Sequence, residues 1–159
     1  AVQLAKLAGA EVLLLTRSPE KQALGLNIGA DYAVGTESEV RNIWPEGADL
    51  VVECAGVSAT VTLSHKLARS GGRVVILGVI SQGEQVPIEP FDMLFREIQM
   101  HFSFLNPFTH ERAAKMIADG TINVSSLISR IISLEEAALA ISSPPPKGEV
   151  RAIVVPKHD

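Results

Sequence analysis

The chain has 159 residues, 47% of them hydrophobic and 20% charged, so it is long enough for one buried core but short for two independent domains. Its net charge of -4 and the lack of a Lys/Arg run argue against a nucleic acid or an anionic membrane as partner and favour a small molecule. No apolar stretch is long enough to span a bilayer, and none resembles a signal peptide. The single cysteine, Cys54, allows no internal disulfide, which is typical of a cytoplasmic protein.

Short apolar runs alternate with helical patterns from the first residues onward. Residues 2–8 have helical spacing and end at a glycine, and EVLLL follows as a buried strand. The next helix begins with Ser18 as its N-cap and Pro19 in its first turn, and it ends near Gly29. Beyond it we predict a strand at YAV, a helix over 37–43 and a buried strand at ADLVVECAG.

The same alternation continues with a helix over 59–68, a turn at RSGG and a buried strand at RVVILGV. DMLFREI then predicts a short helix and QMHFSFL a further strand. Strands alternating with helices of about ten residues are typical of right-handed βαβ crossovers. The pattern therefore predicts an α/β fold with a parallel, doubly wound sheet, in which flavodoxin-like and Rossmann strand orders both stay open.

The pattern changes after NPFTH, which predicts a bend and an N-cap at Thr109. The helix that follows is expected to end at Gly120, SLISRIIS predicts a strand, and LEEAALAI predicts a helix opened by a capping box of Ser133 and Glu136. SSPPPKG predicts a surface turn and EVRAIVVP a closing strand. These elements carry too little sheet for a separate domain, so we expect them to pack on a partner domain.

The order of AVQLAKLAGAEVLLL, GAD, ADLVVECAG, GGRVVILGV, PFDMLFREIQMHFSFLNPFTH and KGEVRAIVV resembles the cofactor-binding half of the zinc-type medium-chain alcohol and polyol dehydrogenases. The resemblance covers essentially the whole chain, and SFLNPFTH is most similar to the sorbitol, threonine and butanediol branch. It implies a partial Rossmann domain over 1–106 and a C-terminal segment over 107–159 that packs on a catalytic domain outside this chain. It also implies that the first strand and the glycine-rich phosphate loop precede Ala1.

This resemblance implies an NAD(P)-dependent dehydrogenase that oxidises a secondary alcohol or polyol, with zinc held by residues outside this chain. We assign no catalytic residue and no metal ligand to the chain itself, and expect it alone to be inactive, poorly stable and a weak dinucleotide binder. Two alternatives stay open. FLNPFTH argues against a zinc-free enzyme similar to quinone oxidoreductases, and the lack of a phosphate loop argues against a non-catalytic nucleotide-binding module.

The choice of cofactor depends on the turn after the second strand of the Rossmann layout, where an acidic residue binds the ribose 2′-hydroxyl of NAD. Alignment through GAD places Thr16 there, followed by Arg17. A neutral Thr16 removes repulsion toward a 2′-phosphate, and Arg17 and Lys21 are able to pair with one, which favours NADP over NAD. In the alternative interpretation, the two basic side chains only solvate the turn.

Ligands of this fold bind at the carboxyl ends of parallel strands. For this reason most of the other predicted cofactor-binding residues are ones that directly follow a predicted strand. By resemblance, residues 54–56 flank the adenosine and residues 77–79 approach the nicotinamide. The backbone of Ser103 and Leu105 is expected to hold the nicotinamide carboxamide, and Arg151 to reach the pyrophosphate unless it is an ordinary surface arginine. The complete set is Cys54, Ala55, Gly56, Leu77, Gly78, Val79, Ser103, Leu105 and Arg151.

Several residues that could carry chemistry are given no such role. A lone cysteine such as Cys54 is expected to be a small buried hydrophobe without nucleophilic or metal-binding duty. Glu53 and the pair Glu135 and Glu136 have no visible partner carboxylate or base. The histidines lack a partner at metal-ligand spacing and are interpreted as surface or packing residues. These are His65, His101, His110 and His158.

The strand IQMHFSFL is long and apolar and is expected near the edge of the sheet. Folded proteins cover or pair such edges, because an exposed row of backbone donors and acceptors invites another strand. Together with the resemblance, this predicts a homodimer or homotetramer. The alternative is that the catalytic domain covers the strand.

Overall fold

The computed structural model describes residues 1–156, so the predicted surface or packing role of His158 lies outside the described residues. The chain forms two compact units. Residues 36–108, together with Ala1, form what we call the 36–108 unit. Residues 2–35 and the chain from Thr109 onward form the terminal unit. The predicted division into 1–106 and 107–159 stays a prediction.

Helices and strands alternate through the described chain much as the sequence predicts. The helices are α1 (Val2–Leu7), α2 (Pro19–Asn27), α3 (Glu37–Ile43), α4 (Ser58–Leu67), α5 (Pro90–Phe95), α6 (His110–Ala118) and α7 (Leu134–Ser142). The strands are β1 (Leu13–Leu15), β2 (Tyr32–Val34), β3 (Ala48–Glu53), β4 (Ala68–Ile76), β5 (Gln99–Phe102), β6 (Arg130–Ile132) and β7 (Ala152–Val154).

All strand pairings in the described residues are parallel, which confirms the α/β class. The strands form three sheets: β1 with β2, β3–β4–β5 in that order, and β6 with β7. β1 and β3 therefore belong to different sheets and do not pair with each other. β5 lies at the edge of its sheet, as predicted for IQMHFSFL.

The core of the 36–108 unit lies where α4 meets the central strand β4. Val61 of α4 packs with Ala68, Val74 and Ile76 of β4, and all four are buried. The β-branched run of β4 favours this position, since both neighbouring strands cover its edges. Packing in this core therefore holds β4 in place, and the loop that begins at residue 77 follows the carboxyl end of β4.

RSGG is not the separate turn that the sequence predicts, since it lies within β4 as an irregularity. Ala48 of β3 pairs with Ala68, whereas Leu50 pairs with Arg73, so extra residues of β4 bulge out between these pairs. A Cβ on Gly72 would lie 2.7 Å from the carbonyl oxygen of Arg69. Because only glycine avoids that clash, the bulge depends on its glycines.

The terminal unit is held together by side chains distant in sequence. The Gln3 amide donates to the Asn123 carbonyl at 2.7 Å and accepts from the Asn123 N–H at 2.8 Å, which joins α1 to the segment after α6. The Asp31 carboxylate accepts from Lys6 and from the Val12 backbone. The Lys6 bond, followed by the Val12 bond, lowers the pKa of Asp31.

The helix starts follow the capping signals closely. Ser18 caps α2, with Pro19 in its first turn, and Ser133 and Glu136 form a complete capping box at α7, as predicted. Thr109 occupies the N-cap position of α6 without a side-chain capping bond. SLISRIIS is only partly a strand: its first residues belong to a 3₁₀ turn over Ser125–Leu127, and β6 is confined to Arg130–Ile132.

Candidate functional site

The strands of the 36–108 unit end side by side, which gathers several of the predicted residues. Glu53 at the end of β3 pairs with Ile76 at the end of β4, and Ile76 pairs with Phe102 at the end of β5. The loops that begin at residues 54, 77 and 103 therefore lie at the same edge of the sheet. This is the edge at which parallel α/β sheets bind ligands.

The loop after β3 is organised by Glu53, to which sequence reasoning gave no role. Glu53 is 5% exposed, and its Oε1 accepts hydrogen bonds from the N–H of Ala55 at 2.7 Å and of Gly56 at 3.0 Å. The hydroxyl of Thr60, in the first turn of α4, donates to the same carboxylate at 2.7 Å. These hydrogen bonds connect the loop 54–56 and the first turn of α4 to one buried acid.

The loops 54–56 and 77–79 approach each other so closely that only glycine fits at two positions. A Cβ on Gly56 would lie 2.6 Å from the Val79 carbonyl oxygen, and a Cβ on Gly78 would lie 2.2 Å from the Gly56 nitrogen. The φ of Gly56, at 67°, is also one that glycine favours. The sequence predicts both glycines as cofactor contacts, and the structure adds that they are required by loop packing.

A cavity of about 240 Å³ lies beside the loop that follows β4. It is lined by residues 76–79 and 102–104, so it brings Leu77, Gly78 and Val79 together with Ser103. The Ser103 N–H is held by the Ile76 carbonyl at 3.0 Å. A mainly apolar cavity of this kind is suited to a flat heteroaromatic ring.

Leu105 does not line this cavity, but its backbone is unusual. Its φ is 57°, a left-handed conformation that is costly for a residue with a Cβ, and the residue is 74% exposed. Phe108 has a φ of 59° in the same segment. Strained residues of this kind concentrate at functional segments, which is consistent with the backbone role predicted for Leu105.

Cys54 is not the buried hydrophobe that the sequence predicts. It stands one residue beyond the end of β3 and is exposed. Because β3 ends at Glu53, the Cys54 side chain belongs to the loop rather than to the sheet. Desolvation by neighbouring protein atoms nevertheless raises the pKa of the Cys54 thiol, which keeps it protonated at neutral pH.

The predicted ribose-binding residues lie in the terminal unit, at the turn between β1 and α2. The Thr16 N–H donates to the Val34 carbonyl at 2.9 Å, which places Thr16 at the carboxyl end of β1. Arg17 is exposed. Within residues 1–156 the side chains of Arg17 and Lys21 have no acidic partner, so both cations are free to meet an anion.

The same turn carries an acid that sequence reasoning left out of the site. Glu20 accepts from the Ser18 hydroxyl at 2.6 Å and pairs with Lys147 at 3.5 Å. The Ser18 bond, with a smaller contribution from Lys147, lowers the pKa of Glu20. Lys147 belongs to the predicted surface turn SSPPPKG, and no local signal in the sequence connects that turn with α2.

Arg151 lies just before β7. Its carbonyl accepts from the Ser129 N–H at 2.8 Å, while its side chain has no ion pair within residues 1–156. The structure places it in the terminal unit together with Thr16, Arg17 and Lys21. The other predicted cofactor residues belong to the 36–108 unit.

Among residues 1–156, no group of three or more His, Cys, Asp or Glu side chains is arranged to hold a metal ion. His101 is exposed on β5, whereas His65 is completely buried near the end of α4. No helix within residues 1–156 has the length and apolar character needed to cross a membrane.

Comparisons with known proteins agree with the family resemblance found in the sequence. A family model described as zinc-binding dehydrogenase matches residues 1–133. A crystal structure from Sinorhizobium meliloti 1021, described as a zinc-binding dehydrogenase bound to NADP, is 49% identical with a TM-score of 0.92. The match covers 98% of this chain and 48% of that one.

Curated relatives include a sorbitol dehydrogenase from Gallus gallus, 27% identical over 151 residues, and a protein from Rhizobium meliloti (strain 1021) described as a D-xylulose reductase, 34% identical over 94 residues. The first match covers 89% of this chain and the second 59%. The chain spans less than half of each relative, with 42% of the first and 27% of the second covered.

Proposed function

The chain belongs to the zinc-binding dehydrogenase family, and we propose that it is the NADP-binding part of an enzyme that oxidises a secondary alcohol or polyol. The observation that carries this proposal is the shared edge at which Glu53, Ile76 and Phe102 end in register. The loops that begin there leave a 240 Å³ cavity open to a ligand.

Each part of the site has a separate task in this proposal. Residues 54–56 would flank the adenosine, and the cavity beside residues 77–79 would receive the nicotinamide, with the backbone of Ser103 and Leu105 holding its carboxamide. Arg151 would pair with the pyrophosphate. When bound, the cofactor accepts a hydride from the carbon that bears the alcohol.

Residues 1–156 do not offer a set of donors that fits the zinc implied by the family. The contribution proposed for this chain is consequently to bind and orient the dinucleotide. The polyol class of substrate is supported by the likeness to the sorbitol dehydrogenase. Activity and substrate belong to the whole protein, of which the chain accounts for one part.

NADP is the proposed cofactor rather than NAD. Thr16 brings no negative charge to the end of β1, and Arg17 and Lys21 lie beside it without acidic partners in the described chain. Lys147 offsets the charge of Glu20, the acid in this turn. The relative that is 49% identical was crystallised with NADP, which supports the same choice.

Calorimetric titration of the full-length protein with NADP and NAD tests this proposal. We expect tighter binding of NADP, and Arg17→Ala should weaken NADP binding roughly tenfold while leaving NAD unchanged, because a charge-assisted contact is lost. Arg112→Ala, at an exposed arginine of α6, is the matched control and should change neither affinity. A clear preference for NAD in the unmodified protein would refute the cofactor assignment.

A further inference from the structure

Glu53 is a buried acid without a cation. Glu53 is 5% exposed, and no basic side chain of residues 1–156 pairs with it. Its Oε1 accepts hydrogen bonds from the N–H groups of Ala55 and Gly56 and from the Thr60 hydroxyl. A buried carboxylate is costly unless its oxygens are fully engaged, so these donors and this acid depend on one another.

The main chain of Glu53 holds the neighbouring loop as well. Its carbonyl oxygen accepts hydrogen bonds from the N–H of Leu77 at 2.9 Å and of Gly78 at 3.1 Å. A Cβ on Gly78 would lie 2.4 Å from a Glu53 carboxylate oxygen, which shows how tightly the second loop passes over the side chain. One residue therefore fastens both loops at the candidate site, 54–56 with its side chain and 77–79 with its backbone.

We propose that Glu53 is a positioning residue for the dinucleotide, because it fixes loops 54–56 and 77–79 relative to each other. This inference rests on the proposed function, since it assumes that the cofactor lies against these two loops. Because the two loops are already ordered, binding of the ligand does not cost the conformational entropy of ordering them. The affinity for the ligand is therefore higher.

The three donors converge on one oxygen of Glu53. The N–H groups of Ala55 and Gly56 and the Thr60 hydroxyl all bond to Oε1, while Oε2 accepts from the Gly56 N–H at 3.3 Å. Methionine has nearly the same length but no comparable acceptor, so Glu53→Met removes this oxygen, whereas the amide oxygen of glutamine would replace it. Aspartate is one methylene shorter and would not reach all three donors. Thr60 supplies the donor that is easiest to change, because its role depends on a hydroxyl alone.

The test measures NADP affinity by calorimetry on the full-length protein, with circular dichroism to establish that each variant is folded. We expect Glu53→Met to weaken NADP binding roughly tenfold or more, since the buried donors lose their acceptor. Thr60→Val should weaken it by a smaller factor, about threefold, and Thr60→Ser, which keeps the hydroxyl, should bind like the unmodified protein.

Val40→Ala controls for general destabilisation. Val40 is 3% exposed in α3 and belongs to neither loop, so its truncation should lower the melting temperature without changing NADP affinity. If Glu53→Met does not fold, the contrast between Thr60→Val and Thr60→Ser tests the positioning role.

Two results would overturn the inference, and they differ in meaning. Unchanged affinity in folded Glu53→Met, or in Thr60→Val where Glu53→Met does not fold, would refute the positioning role and leave the proposed function intact. Failure of the unmodified full-length protein to bind any dinucleotide would refute the proposed function together with the inference.

Discussion

His65 is completely buried, and neither of its ring nitrogens has a hydrogen-bond partner. Desolvation lowers the pKa of His65, while Glu89 and Asp92 raise it by smaller amounts and Lys66 and Arg96 act in the same direction as desolvation. The imidazole is therefore neutral in the folded chain at neutral pH. An unpartnered buried polar side chain costs stability, which makes His65 a weak point of the 36–108 unit.

His65→Leu should raise the free energy of unfolding by roughly 1 kcal/mol or more at pH 7. The two ring nitrogens of His65 lose their hydration when the side chain is buried, whereas leucine has no polar side-chain atoms to dehydrate. Urea unfolding followed by the fluorescence of Trp44, the single tryptophan, measures this change. His101→Leu, at an exposed histidine of β5, is the matched control and should have little effect. A loss of stability in His65→Leu comparable to that of a core truncation would contradict the prediction.

The pH dependence of stability gives a second measurement on His65. Because its folded pKa lies below the ordinary value of 6.5, the unfolded chain binds the proton first as the pH falls. Stability should thus be fully present above about pH 6.5 and decrease as the pH falls below it. The difference in unfolding free energy between His65→Leu and the unmodified chain should grow over that range. A constant difference would mean that His65 titrates normally in the fold.

At the scale of single elements, helix starts are where local chemistry acts most directly. The Thr36 hydroxyl accepts from the Glu39 N–H, and the Glu39 carboxylate accepts from the Thr36 N–H at 2.9 Å. This capping box has the same spacing as the predicted one at Ser133, and so the sequence pattern could have identified it.

Thr36→Ala should destabilise the 36–108 unit by about 1 kcal/mol, since the first turn of α3 loses its cap. Trp44 follows α3 directly and donates to the Val40 carbonyl at 2.8 Å, so its fluorescence reports on this helix during urea unfolding. Ser38→Ala, two residues further along the same helix, removes a hydroxyl that is not a cap and should be neutral. Equal effects of the two substitutions would show that the capping bonds contribute nothing.

At the scale of the whole molecule, β5 presents an open edge with large apolar side chains around it. Phe102 is 75% exposed and Phe104 is 77% exposed. Contiguous exposed apolar surface together with unpaired strand backbone favours association. The homodimer or homotetramer implied by the family resemblance remains our expectation for the full-length protein.

Light scattering during size-exclusion chromatography tests this expectation directly. The full-length protein should elute as a dimer or tetramer, and Phe102→Lys should shift it toward monomer because a charge on the edge strand opposes pairing. Arg73→Ala, on the central strand β4, is a control that leaves the edge unchanged. A strict monomer in the unmodified protein would exclude pairing through β5.

The sequence by itself determined the family, the α/β class with parallel strands, the caps at Ser18 and Ser133, and the segments that follow each strand. These features depend on patterns within a few residues or on the order of such patterns along the chain, so they can be found without coordinates. The match of the zinc-binding dehydrogenase model to residues 1–133 confirms the resemblance.

Only the tertiary structure decided which side chains are buried and what they touch. It placed Cys54 on the surface, enclosed His65, folded RSGG into β4 and joined Lys147 to Glu20. It also turned Glu53, which had no visible partner in the sequence, into the acid that ties two loops together. Burial and contacts between distant segments depend on how the elements pack, and no pattern within a single segment contains that information.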